Sequence, residues 1–226
     1  MSDRPSPDRI RPAWTEPLVR ASQQIDPRQL STFLPPTDGS ARHAAVLMLF
    51  GEGPDGPDLL LTERSHDMRT HAAQVSFPGG ASDSDDEGPE HTALREAEEE
   101  TGLDPDGVDV IGRLPDLYLP MGNFAVTPVL AWWHTPSEIA AIDPAEVHSV
   151  HRVPVADLVD PANRFTVRHP SGFVGPAFVL DDLFVWGFTG GIISRLFAYL
   201  GWEKPWDPQR YTELPEHMVE RIWRAP

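Results

Sequence analysis

Apolar and polar positions along the chain fall into short blocks that read as strands, with a few helices between them. From Ala44 onward, "AAVLMLF" and "DLLLTER" are apolar runs of strand length. The intervening "GEGPDGP" marks a hairpin turn by its glycines, prolines and aspartates. "AQVSF" predicts a further short strand ending at Pro78-Gly79-Gly80. "VDVIGRL", "FAVTPVLAWW" and "VHSVHRVPV" read as three more, and "FVGPAFVL" with "LFVWGF" as another hairpin. Helical spacing appears from Pro89 to Thr101, where Ala93, Leu94 and Ala97 share one side. Pro89 suits the first turn of that helix and Gly102 its stop. "GGIISRLFAYLGW" is a second amphipathic helix, and "WTEPLVRASQQI" a third helical stretch. The latter lies in the proline-rich residues 1–42, which we read as an arm lying on a domain of residues 43–200. Residues 201–226 form an irregular, proline-rich tail packed on or trailing the domain on this reading. Strands outnumber helices, and helices separate strand groups, which predicts an α+β fold with mixed sheets.

Composition narrows the chemistry. Of 226 residues, 40% are apolar, enough for a packed core. The formal charge of -17 argues against broad binding to nucleic acid or to an anionic membrane. It leaves room for an anionic small substrate if a metal ion bridges protein and phosphate. The chain has no cysteine, which removes disulfides, thiolate ligands and a cysteine nucleophile, and fits a reducing cytoplasm. The N-terminus lacks the apolar segment of a signal peptide and no apolar run reaches membrane-spanning length, so a cytoplasmic location is expected. Lys204 is the only lysine, so a G-x-x-x-x-G-K-[ST] phosphate loop is absent. A G-x-S-x-G elbow and an H-E-x-x-H helix are absent too.

Glu96, Glu98, Glu99 and Glu100 crowd the first of the two longer helices. Like charges four apart cost a free helix roughly 0.2–0.5 kcal/mol per pair. At about 100° per residue, Glu96, Glu99 and Glu100 project into one sector and Glu98 points elsewhere. Such a trio is either a solvated stripe or a site for a hard divalent cation such as Mg²⁺, which prefers oxygen ligands. The glycine pair before the helix and Arg95 among the glutamates favour an arranged cluster. An EF-hand does not fit: Asp83, Asp85, Glu87 and Gly88 imitate its start, but Leu94 occupies the position of the bidentate glutamate.

"REAEEETGL", Arg95 to Leu103, resembles the core of the Nudix box, G-x5-E-x7-R-E-U-x-E-E-x-G-U with U aliphatic. Glu87 stands where the first glutamate belongs when counted back from Arg95, which puts Ala81 at the glycine position, one residue after Gly80. The resemblance implies a Nudix-like α/β/α sandwich with a mixed sheet and a catalytic helix. It implies hydrolysis of a nucleoside diphosphate linked to another group, with Mg²⁺ or Mn²⁺ as cofactor. Carried over by position, Glu96, Glu99 and Glu100 become metal ligands, joined by the Gly80 carbonyl. Arg95 becomes their structural partner and Glu87 a supporting residue. Glu146 is weighed as a further ligand or the catalytic base against an acidic loop residue.

"LLTERSHDMRTHAAQVSFPGG", Leu60 to Gly80, is similar to the pattern that precedes the box in the coenzyme A pyrophosphatase branch. Ala73 replaces a glycine of that pattern. The branch implies cleavage of coenzyme A to 3′,5′-ADP and 4′-phosphopantetheine, with Arg64, Arg69, Gly79 and Gly80 on the substrate. ADP-ribose, a dinucleotide or a nucleoside triphosphate are the alternative substrates, and a non-catalytic nucleotide-binding module the alternative class. His148 and His151 are expected to be structural or exposed, on opposite faces of a strand, and Trp132-Trp133 to be core. The partner is a small nucleotide-type molecule, and the arm leaves room for a homodimer.

Overall fold

The computed structural model describes residues 10–65, 74–169, 172–181, 183–215 and 218. Helices α1 (Glu16–Gln24) and α2 (Pro27–Leu30) come first. Their Leu18, Ala21 and Leu30, with Ile25 between them, are buried in the larger of two main cores. Arg11 ties the approach to α1 through paired bonds of 2.6 and 3.0 Å to the Asp109 carboxylate.

Strands β1 (Arg42–Gly53) and β2 (Gly56–Arg64) form the expected hairpin. The apolar run in β1 is continuous because both faces are covered. Ala45, Leu47 and Leu49 enter one core while Met48 and Phe50 enter the other. β3 (Val75–Ser76) pairs with the end of β2, and β4 (Gly79–Ala81) with the start of β1. After α3 (Pro89–Thr101) follow β5 (Val108–Arg113), β6 (Leu117–Leu119), β7 (Phe124–Trp133), β8 (Val147–Pro154) and the short α4 (Val155–Leu158). β7 runs parallel to β1 and the remaining pairings are antiparallel. Among the described residues these strands make one mixed sheet of order β3-β2-β1-β7-β5, with β4, β6 and β8 attached.

A second sheet, β9 (Arg164–Arg168), β10 (Val174–Leu180) and β11 (Leu183–Val185), is followed by α5 (Gly187–Leu200) and β12 (Tyr211–Glu213). α3 covers one face of the main sheet, setting Ala93 and Ala97 on Ala45, Leu47 and Leu49. α1, α5 and the second sheet cover the other. The architecture is thus the α+β sandwich with a mixed sheet.

The tail departs from the irregular segment expected. β12 pairs in parallel with β9, Tyr211 opposite Thr166. Upstream of it, Glu203 and Trp206 close over Arg164, whose buried guanidinium lies 4.6 Å from the Phe178 ring centre and 4.5 Å from that of Trp206. Strands β4, β6 and β9 were not expected either; the first two have three residues each, too few to show a period. No helix among the described residues is long and apolar enough to cross a membrane.

Candidate active site

The loop before α3 and the helix itself are joined through one guanidinium. Arg95 donates from Nε and Nη2 to the two oxygens of Asp86, both at 3.0 Å. Its Nη1 donates to Glu96 at 3.0 Å and Glu99 at 3.2 Å, and Nη2 also to the Ala81 carbonyl at 3.2 Å. Asp86 is enclosed, accepts from Thr92 Oγ1 at 2.8 Å, and lies 2.8 Å from His91 Nδ1. The Arg95 guanidinium holds the Asp86 carboxyl well below the usual carboxylate range, and Asp86 in turn raises Arg95.

This corrects the sequence assignment of Glu87, which is exposed. Asp86 does the supporting work. Counting forward from Gly80 finds it, because the spacing from glycine to acid is then that of the box. The extra residue of the loop lies between Asp86 and Arg95.

Glu96 packs its carboxylate against the α-carbon of Gly80, where any side chain would collide with it. Glu100 is 8% exposed, and its Oε2 accepts from the Gly79 N–H at 3.2 Å. Burial pushes the Glu100 carboxyl up to about 7; the Gly79 bond and the charge of Arg64 oppose this, while Glu96 and Glu146 add to it. Glu96 is raised too, chiefly by desolvation. Glu99 is 61% exposed at its side chain and, among the described residues, pairs with Arg95. The three glutamates therefore share a region but do not point to one spot: Glu96 and Glu99 turn to Arg95, and Glu100 to Gly79. Among the described residues no three acidic or histidine side chains converge closely enough to hold an ion.

Glu146 arrives from the β7–β8 connection, which is pinned to α3. Ala140 N donates to Thr101 O at 3.0 Å and Ile142 N to Glu100 O at 3.2 Å, occupying carbonyls at the helix end. On the other side, Ser65 N donates to Glu146 O at 2.8 Å. Arg64, at the end of β2, is half-buried, and its Nε has no partner among the described residues. Arg69 and Ala73 lie outside the described residues. His151 is half-buried with Nε2 2.7 Å from Ser149 Oγ, His148 is exposed, and Trp132 and Trp133 are buried.

The chain matches the NUDIX domain family over residues 40–171. It is 40% identical over 167 residues to the uncharacterized Nudix hydrolase NudL of Cronobacter sakazakii, covering 73% of this chain and 85% of that protein. It is 34% identical over 175 residues to "Nudix hydrolase 15, mitochondrial" of Arabidopsis thaliana, covering 73% of this chain. There the match spans only 60% of the plant protein. Among solved structures, RenU, a Nudix hydrolase of M. Smegmatis, shares the fold with a TM-score of 0.52 at 20% identity, over 78% of this chain and 99% of that one.

Proposed function

The chain belongs to the Nudix hydrolase family, enzymes acting on pyrophosphate bonds, and we propose that its substrate is coenzyme A or a derivative, cleaved to 3′,5′-ADP and 4′-phosphopantetheine. The observation that carries the catalytic reading is the Glu100 carboxyl. Burial raises it to about 7, with Glu96 and Glu146 adding to the shift, so the ionised carboxylate gains from a divalent cation beside it. Glu96, Glu99 and Glu100, with the Gly80 carbonyl, would hold Mg²⁺ or Mn²⁺. When bound, such an ion neutralises phosphate oxygens and makes water more acidic.

The protein's own groups do the rest. Glu146, beside Glu100, takes the proton of the attacking water. Arg64, half-buried at the end of β2, offers its guanidinium to a substrate phosphate, and Arg69 supplies a second. Arg95, anchored by Asp86, fixes Glu96 and Glu99. The choice of coenzyme A rests on the likeness of Leu60 to Gly80 to that branch.

Mass-spectrometric product analysis tests the reading, with Mg²⁺ or Mn²⁺ and a panel of coenzyme A, acetyl-coenzyme A, ADP-ribose, diadenosine polyphosphates and nucleoside triphosphates. Preferential formation of 3′,5′-ADP and a phosphopantetheine is expected. Cleavage of other compounds alone would overturn the substrate. Undiminished turnover in a folded Glu99→Gln protein would overturn its place among the metal ligands.

A further inference from the structure

Where β1 and β7 begin, Arg42 and Phe124 stand opposite one another in the parallel register, and the Arg42 guanidinium lies 4.5 Å from the Phe124 ring centre. Arg42 is exposed and makes no ion pair among the described residues, although the chain carries a net charge of -17. Phe33 and Met121, 58% and 65% exposed, lie on the neighbouring turns, and Phe33 O accepts from Tyr118 N at 3.3 Å. An exposed cation stacked on an aromatic ring, with apolar side chains on the adjoining segments, suits a ligand that is both aromatic and anionic.

The ledge is built to keep its shape. Asn123, between Met121 and Phe124 in the turn, has a φ of 55°, the left-handed region that asparagine adopts more readily than most side chains. Tyr118 Oη donates to its Oδ1 at 2.8 Å, its Nδ2 donates to Ser40 O at 2.8 Å, and Arg42 N donates to its backbone carbonyl at 2.8 Å. Gly122 leaves the room the Phe124 ring occupies: a Cβ there would meet the ring at 2.9 Å.

Along β1 the ledge stands close to the active-site loop, around the strand end on the sheet face opposite α3: Arg42 alternates onto the side of Met48 and Phe50, while α3 packs on Ala45, Leu47 and Leu49. The same strand that begins at Arg42 pairs Ala44 with Ala81 and Ala45 with Gly80, and His43 O accepts from Ser82 N at 3.0 Å. Three residues of strand, about 10 Å, separate Arg42 from the partner of Gly80. That is on the scale of one nucleotide.

We propose that this ledge receives the nucleotide end of the substrate, with Arg42 pairing the phosphate on the ribose and the Arg42–Phe124 stack facing the purine. This rests on the coenzyme A reading. Coenzyme A carries a ribose phosphate remote from the scissile pyrophosphate, and that anion needs a cation outside the glutamate cluster and apart from Arg64.

Dephospho-coenzyme A, which lacks the ribose phosphate, provides the test. Kinetics of Arg42→Ala are measured on both compounds, and binding of 3′,5′-ADP and of 5′-AMP is measured by calorimetry without metal. A charged pair of this kind corresponds to about a tenfold effect or more. Arg42→Ala should therefore raise KM for coenzyme A about tenfold more than for dephospho-coenzyme A. It should also erase tighter binding of 3′,5′-ADP than of 5′-AMP, and Arg42→Lys should restore part of both preferences. Equal effects on the two compounds, or none, overturn the ledge. If the wild type cleaves neither compound, the coenzyme A reading fails. The calorimetric comparison then decides the phosphate site alone, and equal binding of 3′,5′-ADP and 5′-AMP by the wild type overturns it.

Discussion

Helices α3 and α5 end alike and are held differently. Each stops at a glycine in the left-handed conformation, Gly102 with φ 68° and Gly201 with φ 73°. α5 sinks Ile192, Ile193, Leu196 and Phe197 into the large core. α3 buries only alanines and polar groups: Thr92, Ala93, Ala97, Glu100 and Thr101. Its position is set by bonds instead. Arg95 grips Asp86, Glu100 meets the Gly79 N–H, and the β7–β8 connection donates to the carbonyls of Glu100 and Thr101. Apolar burial is non-directional and tolerates small rotations of a helix. Hydrogen bonds fix both rotation and translation, which a row of carboxylates requires if it is to meet one ligand.

The sharpest way to break this contrast is to damage one helix at a time. Glu100→Gln should lower kcat by more than the 10–100-fold typical of outer-shell losses at metal sites. The melting temperature should not fall, because a neutral amide replaces a desolvated carboxyl. Leu196→Ala should behave in the opposite sense. Loss of a fully buried leucine costs about 2–5 kcal/mol, while turnover per folded molecule stays near wild type. Initial rates and urea unfolding of both proteins check the pair. Equal losses of stability would sink the division of labour.

The two helices also differ in how readable they were. The bounds of α3 were legible because a proline at the first turn, a glycine past the last and the spacing of Ala93, Leu94 and Ala97 are local signals. What the glutamates do was less so. A helical wheel places Glu96, Glu99 and Glu100 in one sector, yet Arg95 draws Glu96 and Glu99 to itself while Glu100 turns to Gly79. Which of the adjacent acids Asp86 and Glu87 faces inward depends on the path of the loop, fixed by Thr92 and Arg95. Periodicity carries no record of that path. β12 escaped notice for a related reason: its pairing partner Thr166 lies far away in sequence, and the tail meets the fold through Arg164, Glu203 and Trp206.

A smaller effect follows from charge. An unfolded glutamate has a pKa of 4.5, whereas the Glu100 carboxyl sits at about 7 in the metal-free fold, chiefly from burial. Between these values the folded chain keeps a proton that the unfolded chain has lost. Stability from this group is therefore greatest below 4.5 and declines as pH rises to 7, by about 3 kcal/mol in all. Asp86 works with the opposite sign, but its depressed pKa confines its effect to pH below the ordinary carboxylate range. Urea unfolding at pH 5 and pH 8 in the presence of a chelator measures the slope. Glu100→Gln should flatten it, and Leu196→Ala should shift the whole curve down without changing it. Parallel curves for wild type and Glu100→Gln would mean that Glu100 is ionised at no unusual cost.

The smallest effect separates the two helix ends themselves. An alanine at either terminal glycine must adopt the left-handed conformation, which costs about 1–2 kcal/mol. At Gly201 a new Cβ would meet nothing within 4 Å among the described residues, which leaves the backbone term. At Gly102 the Cβ would stand 3.0 Å from Cδ1 of Ile142 and 3.5 Å from its Cγ1. Ile142 lies on the segment that donates to Glu100 O and leads on to Glu146. Pushing it aside therefore shifts the segment leading to the proposed base as well as a cap. Gly201→Ala and Gly102→Ala should lose similar stability in urea, but only Gly102→Ala should also lose kcat, by a few-fold. If the two variants keep the same turnover, the β7–β8 connection does not need its contact with the end of α3, and Glu146 is positioned by Ser65 and Asp143 alone.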